Sequence, residues 1–150
     1  MRLIMKNILV AIDFSQISQK TIETAVLITE KTDAKLTIVH VEEPEPDFVG
    51  YDTGPQCVRD YKASDIHKNT KILEQLKKEL SAKGIDVHYK QLQGATVQCI
   101  IKTAVRTCAD LIVIASHQHG FLHHLIFGHV TNSLIEESEV PVMIIPEHIT

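Results

Sequence analysis

The chain has 150 residues, 44% of them apolar and 23% charged, with a formal net charge of −4. That length and apolar fraction suit one domain with a sizeable core. The mild acidity, with no clustered basic excess, excludes a nucleic-acid backbone as the main partner.

Residues 8–12 (ILVAI) form the first apolar, β-branched run and predict a strand. The apolar stretch around it is too short to span a bilayer, and no small-residue cleavage site follows, so a cytoplasmic protein is expected. A helix stripe at Ile22, Ala25 and Val26 follows a start signal at Ser15 or Ser18. Residues 36–41 (LTIVHV) predict the second strand. Residues 42–60 (EEPEPDFVGYDTGPQCVRD) then hold three of the five prolines and two of the six glycines, and predict a long irregular segment of the kind that closes over ligands.

Ile66, Leu73, Leu76 and Leu80 share one helical face, and Gly84 supplies the stop. The more polar residues 85–92 (IDVHYKQL) predict an edge strand. After Gly94 comes a third helical stripe of Val97, Ile100, Ile101, Ala104 and Cys108. Residues 111–115 (LIVIA) predict the fourth strand, a short helix runs from about Gly128 to Glu137, and the last strand covers residues 140–145 (VPVMII), from Val140 at its start to Ile145 at its end.

Near-continuous apolar runs suit strands covered on both faces. Strands alternating with helices predict an α/β fold with a single, doubly wound, mostly parallel five-stranded sheet and helices on both faces. Ligands of such sheets bind beyond the carboxyl ends of the strands, where Asp13, the 42–60 segment, Gly94 and the stretch after residue 115 all fall. The three cysteines, Cys57, Cys99 and Cys108, have no C-x-x-C spacing; reduced thiols are expected, with Cys99 and Cys108 in the core.

The stretch VIASHQHGFLHHLIFGH, residues 113–129, holds His117, His119, His123, His124 and His129. Imidazole ligates transition metals, but Gly120 disfavours the helix that would put His119 and His123 on one face, and no cysteine or carboxylate lies in the stretch. No dedicated metal site is therefore assigned. Neither G-x-x-x-x-G-K-[ST] nor G-x-G-x-x-G is present, which removes Walker-type and dinucleotide-binding readings. Ser116 has no triad partners and no carboxylate pair converges on a strand end, so no catalytic residues are assigned and the chain is not expected to be an enzyme.

KNILVAIDFS, TIVHV, GATVQCI, DLIVIASHQ, FGHVTNSLI and VPVMII together resemble the universal stress protein family over essentially the whole length. The resemblance implies strand order 3-2-1-4-5, a switch point between the first and fourth strands, and a homodimer through residues 140–145. Nucleotide-binding members carry G-x-x-G, nine residues, then G-[ST] around the phosphates. Here that pattern reads Ala115-Ser116-His117-Gln118, nine residues, then Gly128-His129 followed by Val130. Gly128 alone keeps the pattern, as in the subclass typified by universal stress protein A. For the adenosine half, the resemblance points to Ala11, Ile12 and Asp13 at the end of the first strand and to the backbone at Val41; capping of the following helix is an equally simple role for Asp13. The expected function is a non-catalytic regulatory or interaction protein of the stress response with a degraded adenine-nucleotide pocket. A working AMP or ATP sensor is the alternative, and a His-rich metal-responsive module a distant one.

Overall fold

A computed structural model describes residues 4–42, 56–116 and 129–147, with residues 56–63 described as helix backbone alone. The elements alternate as β1 (Asn7–Ala11), α1 (Gln16–Thr32), β2 (Lys35–Glu42), α2 (Gln56–Ala82), β3 (Val87–Gln93), α3 (Thr96–Arg106), β4 (Leu111–Ser116), α4 (His129–Glu137) and β5 (Val142–Pro146). All five strands are parallel, in the order β3-β2-β1-β4-β5. The expected fold class and strand order are therefore observed.

Side chains alternate across the sheet and divide the core into two layers. Ile8, Val10, Leu36, Ile38 and Val113 pack against Ile22 and Ala25 of α1 and Leu73 and Leu80 of α2. Leu9, Val39, Ile112 and Ile114 pack on the other face against Ile100 and Ala104 of α3 and Leu134 of α4. Buried threonines cause no loose ends: Thr21 and Thr29 each return a hydroxyl to the carbonyl one turn earlier, at 2.8 and 2.7 Å. At the amino end of the sheet, one Asp110 carboxylate oxygen accepts the Lys6 and Asn7 N–H groups at 2.8 and 3.0 Å, clamping β1 to the start of β4.

Three helices end alike. The residues after the turn, Ala34, Ile85 and Ala109, donate N–H to Thr29, Leu80 and Ala104, five positions back, while Asp33, Gly84 and Cys108 take positive φ. Each such reversal drops a buried residue straight onto the sheet. It also corrects one expectation: Cys108 is exposed, because the chain turns at it rather than continuing the α3 stripe, while Cys99 is half-buried. A second correction concerns residues 56–60, which belong to α2 and not to the irregular segment; beyond Pro55 no proline or glycine interrupts the chain until Gly84. Residues 43–55 lie outside the described residues. The last strand also starts later than expected, at Val142, because Ser138 and Val140 bond to each other in a tight turn and Pro141 follows.

Candidate functional site

β1 lies between β2 and β4, and the chain leaves it toward opposite faces on either side, so a crevice opens at the carboxyl ends of β1 and β4. There the structure has a cleft of about 420 Å³, within the range of small-molecule sites. Ala11, Ile12 and Asp13 form the β1 wall, Val39 and Val41 the β2 wall, and Ile114 and Ala115 the β4 wall. Thr96 and Ile100 come from α3, Ser18 from α1, and His129, Val130 and Thr131 from the first turn of α4. Most of that surface is aliphatic. Among the described lining residues Asp13 is the one acid and His129 the one base.

Ala11, Ile12, Asp13, Val41, Ala115, His129 and Val130, all expected at the site, are thus brought together. Ser116 is not: it is buried one residue beyond Ala115, with its hydroxyl toward the Ile145 carbonyl at 3.5 Å, because successive strand residues face opposite ways. Gln118, Gly128, His117, His119, His123 and His124 lie outside the described residues. The sequence reading overlooked Val39, Ile100, Ile114, Ser18, Thr96 and Thr131. Val39 was legible in principle, since it shares a strand face with Val41.

The wall at Asp13 is built by a sharp turn. The Ile12 N–H extends the sheet by donating to the Val39 carbonyl at 2.9 Å, and Phe14 then takes φ 62°, which costs a bulky L-residue roughly 1–2 kcal/mol. Asp13 Oδ1 accepts the Ser15 N–H at 3.0 Å and the Ser18 hydroxyl at 3.1 Å. Ser15 occupies the N-cap position of α1 without a side-chain capping bond, while Asp13 bonds the backbone N–H of that N-cap residue and the Ser18 side chain. These two bonds hold the carboxylate at the lip of the cleft. On the facing wall, Val39 directs its carbonyl toward β1, and the two-residue period of a strand aims the Val41 N–H and C=O the same way. The β1–β2 pairing ends at Ala11–Val39, so the Val41 backbone edge faces the crevice beyond it.

Behind this wall, on the α1/α2 face, lies a polar group that the sequence reading missed. His40 is buried, with Nδ1 2.8 Å from the Ile12 carbonyl oxygen and Nε2 3.1 Å from the Glu42 carboxylate. The second contact becomes an ion pair when the imidazole is protonated. Glu42 also accepts from Asn69 of α2 at 2.7 Å and from Gln91 of β3 at 3.4 Å. Burial pushes the Glu42 carboxyl up, but the Asn69 and Gln91 hydrogen bonds and the charge on His40 outweigh it and hold the group below its ordinary value. A carboxyl depressed in the folded state contributes stability that is present above its unfolded pKa and is lost as pH falls through the folded one. Glu42→Gln should therefore be about 1 kcal/mol less stable than the parent at pH 7, with the gap closing below about pH 4, in paired urea melts. A gap independent of pH would contradict the assignment. The signal for this cluster was available: a histidine inside the apolar run LTIVHV.

Fold and cleft together define a doubly wound α/β protein with a cleft at the switch point of its sheet. The universal stress protein family model matches residues 5–146, and the chain belongs to that family. Among curated relatives it is 28% identical to universal stress protein YxiE of Bacillus subtilis, over 93% of this chain and 97% of that one. It is 27% identical to stress response protein NhaX of the same organism, over 93% and 96%. The fold matches protein MJ0577 of Methanocaldococcus jannaschii with a TM-score of 0.82 at 22% identity, over 99% of this chain and 100% of that one. It also matches a universal stress protein solved in complex with cAMP (TM-score 0.68, 21% identity, 95% and 98% covered). An Arabidopsis thaliana family member solved with AMP bound matches as well (TM-score 0.65, 20% identity, 95% and 92% covered). No helix among the described residues is long and apolar enough to cross a membrane.

Proposed function

We propose that the protein is a non-catalytic, cytoplasmic regulator of the stress response, a homodimer whose cleft holds the adenosine half of an adenine mononucleotide and discriminates against longer phosphate chains. The observation that carries this reading is the cleft itself: an aliphatic slot at the β1–β4 switch point, with a fixed carboxylate at its lip and a strand edge opposite. A purine needs flat apolar walls and a backbone donor and acceptor for its edge, which Ile12, Ile114, Ala115 and the Val41 backbone offer. Ribose hydroxyls need an acceptor, and the ionised Asp13 carboxylate at the lip of the cleft is one. The phosphate half rests on the sequence pattern, where Gln118 and His129 replace the second glycine and the hydroxyl. Family members solved with AMP and with cAMP support a mononucleotide as the ligand class.

The non-catalytic part of the proposal follows from the lining. Among the described residues of the cleft, no second carboxylate faces Asp13 to divide acid and base roles, and Ser18 hydrogen-bonds to a carboxylate rather than to a histidine base.

Thermal denaturation with AMP, cAMP and ATP, with and without magnesium, tests the reading. AMP at 100 times its Kd should stabilise the protein by about 2.7 kcal/mol, a shift of roughly 5–10 °C for this size, with ATP giving the smaller effect. Asp13→Ala should weaken AMP at least about tenfold, as expected for losing a hydrogen bond to a charged acceptor. The absence of a shift with any of these nucleotides at millimolar concentration would reject the sensor and leave a nucleotide-independent interaction module.

A further inference from the structure

His40 stands in the Leu36-Ile38-His40 column of β2, which otherwise buries aliphatic side chains against α1 and α2. It does not line the cleft. A buried imidazole is costly unless hydrogen-bonded, and an isoleucine in its place would complete the apolar column. What distinguishes it is the identity of its partners. Nδ1 meets the carbonyl of Ile12, a cleft residue 28 positions away, at 2.8 Å. The ring also lies 4.5 Å, centroid to centroid, from Phe14 at a tilt of 55°. Ile12 and Phe14 flank Asp13, and Phe14 is the residue held at φ 62°. A carbonyl can only accept, so Nδ1 carries the proton of this bond.

The ring is itself held from behind. Glu42 sits 3.1 Å from Nε2, and Asn69 of α2 and Gln91 of β3 fix Glu42 in turn. Gln91 is anchored to α2 through the Ile66 carbonyl at 3.1 Å and through Thr70. Of the elements around His40, β2 contributes the charged Glu42, the β1 tip contributes Asp13, whose Oδ1 is directed at Ser15 and Ser18, and the named partners from α2 and β3 are neutral.

We propose that His40 is a positioning residue for the cleft: by donating from Nδ1 to the Ile12 carbonyl and packing on Phe14, it fixes where Asp13 stands. Its consequence for a ligand rests on the adenine-mononucleotide reading above; its consequence for the backbone does not. The turn that presents Asp13 includes an unfavourable conformation at Phe14, and such conformations persist where surrounding contacts over-determine them. His40 supplies two of those contacts from outside the site.

The test uses three substitutions. In His40→Asn the amide nitrogen can take the place of Nδ1; in His40→Gln it takes the place of Nε2, nearer Glu42; His40→Phe keeps a ring and neither nitrogen. Ligand-free wild-type protein should show a protonated Nδ1 for His40 in ¹⁵N-resolved imidazole spectra, assigned by its disappearance in His40→Asn. The Asp13 and Ser15 amide resonances should stay near their wild-type positions in the Asn variant and move in the Gln and Phe variants. AMP affinity should fall about tenfold in Gln and Phe and be largely retained in Asn, the weight of one hydrogen bond. An unprotonated Nδ1, or an Asn variant that is folded yet as perturbed as Gln at Asp13 and Ser15, overturns the proposal. If wild-type protein binds no AMP, the mononucleotide reading fails, and the ring-nitrogen and amide measurements still decide the role of His40. If the Phe variant does not fold, the Asn and Gln pair decides alone.

Discussion

Gln118→Gly combined with His129→Ser is expected to raise ATP affinity about a hundredfold while changing AMP affinity much less. His129 is the first residue of α4 and lines the cleft, its Nδ1 3.4 Å from the Ser133 hydroxyl. That places it at a helix N-terminus, where free N–H groups and the helix dipole favour an anion. A neutral imidazole there offers one donor and cannot serve as a hydroxyl ligand for magnesium. A serine supplies both functions in a smaller volume, and a glycine at 118 removes the side chain from the position where the family pattern brings backbone to phosphate. Each hydrogen bond to a charged phosphate oxygen is worth about 1.5–3 kcal/mol, so two restored bonds give roughly 3 kcal/mol or more. At 1.4 kcal/mol per factor of ten, that is about two orders of magnitude. Calorimetric titration with and without magnesium measures it, and the gain should depend on the metal. Unchanged ATP binding in a folded double variant would mean that these two positions do not set the phosphate preference.

The parts of the molecule legible in the sequence were those where one physical cause dominates. Runs such as ILVAI and LIVIA are apolar on every residue because β1 and β4 are covered on both faces, and that redundancy made them easy to find. Gly84 announced the end of α2 because glycine takes positive φ without a steric penalty. Asp33 and Cys108 end α1 and α3 by the same geometry and gave no usable signal. A non-glycine residue at positive φ is imposed by the contacts of the finished fold, here the burial of Ala34 and Ala109, and not by local preference. The site divides along the same line. Asp13, Ala115 and His129 were reached through a whole-chain resemblance, whereas Ile100 and Thr131 line the cleft because α3 and α4 are packed against the sheet. His40 was visible as an anomaly, a polar residue in an apolar run, but its meaning depends on a carbonyl 28 residues away.

Ile144→Pro is expected to weaken self-association about thirtyfold while leaving the subunit folded. β5 pairs with β4 on one side and is the last strand of the sheet, so its other side presents backbone donors and acceptors to whatever lies beside it. Which residues face outward follows from one bond. The Pro141 carbonyl accepts the Ile112 N–H at 2.9 Å, so residue 141, and by the two-residue period 143 and 145, point to β4, while Val142 and Ile144 point their N–H and C=O away from the sheet. Proline at 144 therefore deletes an outward donor and spares the β4 ladder, the position in which edge strands tolerate it. If two copies pair β5 against β5, two-fold symmetry makes each substitution count twice. Two lost hydrogen bonds at about 1 kcal/mol each give roughly 2 kcal/mol, or a factor near thirty in the dimer dissociation constant. Sedimentation equilibrium reads that constant, and far-UV circular dichroism checks the subunit. A dimer as tight as the parent's would place the contact on another surface. Loss of the folded subunit itself would mean that the outward N–H already has a partner within the chain.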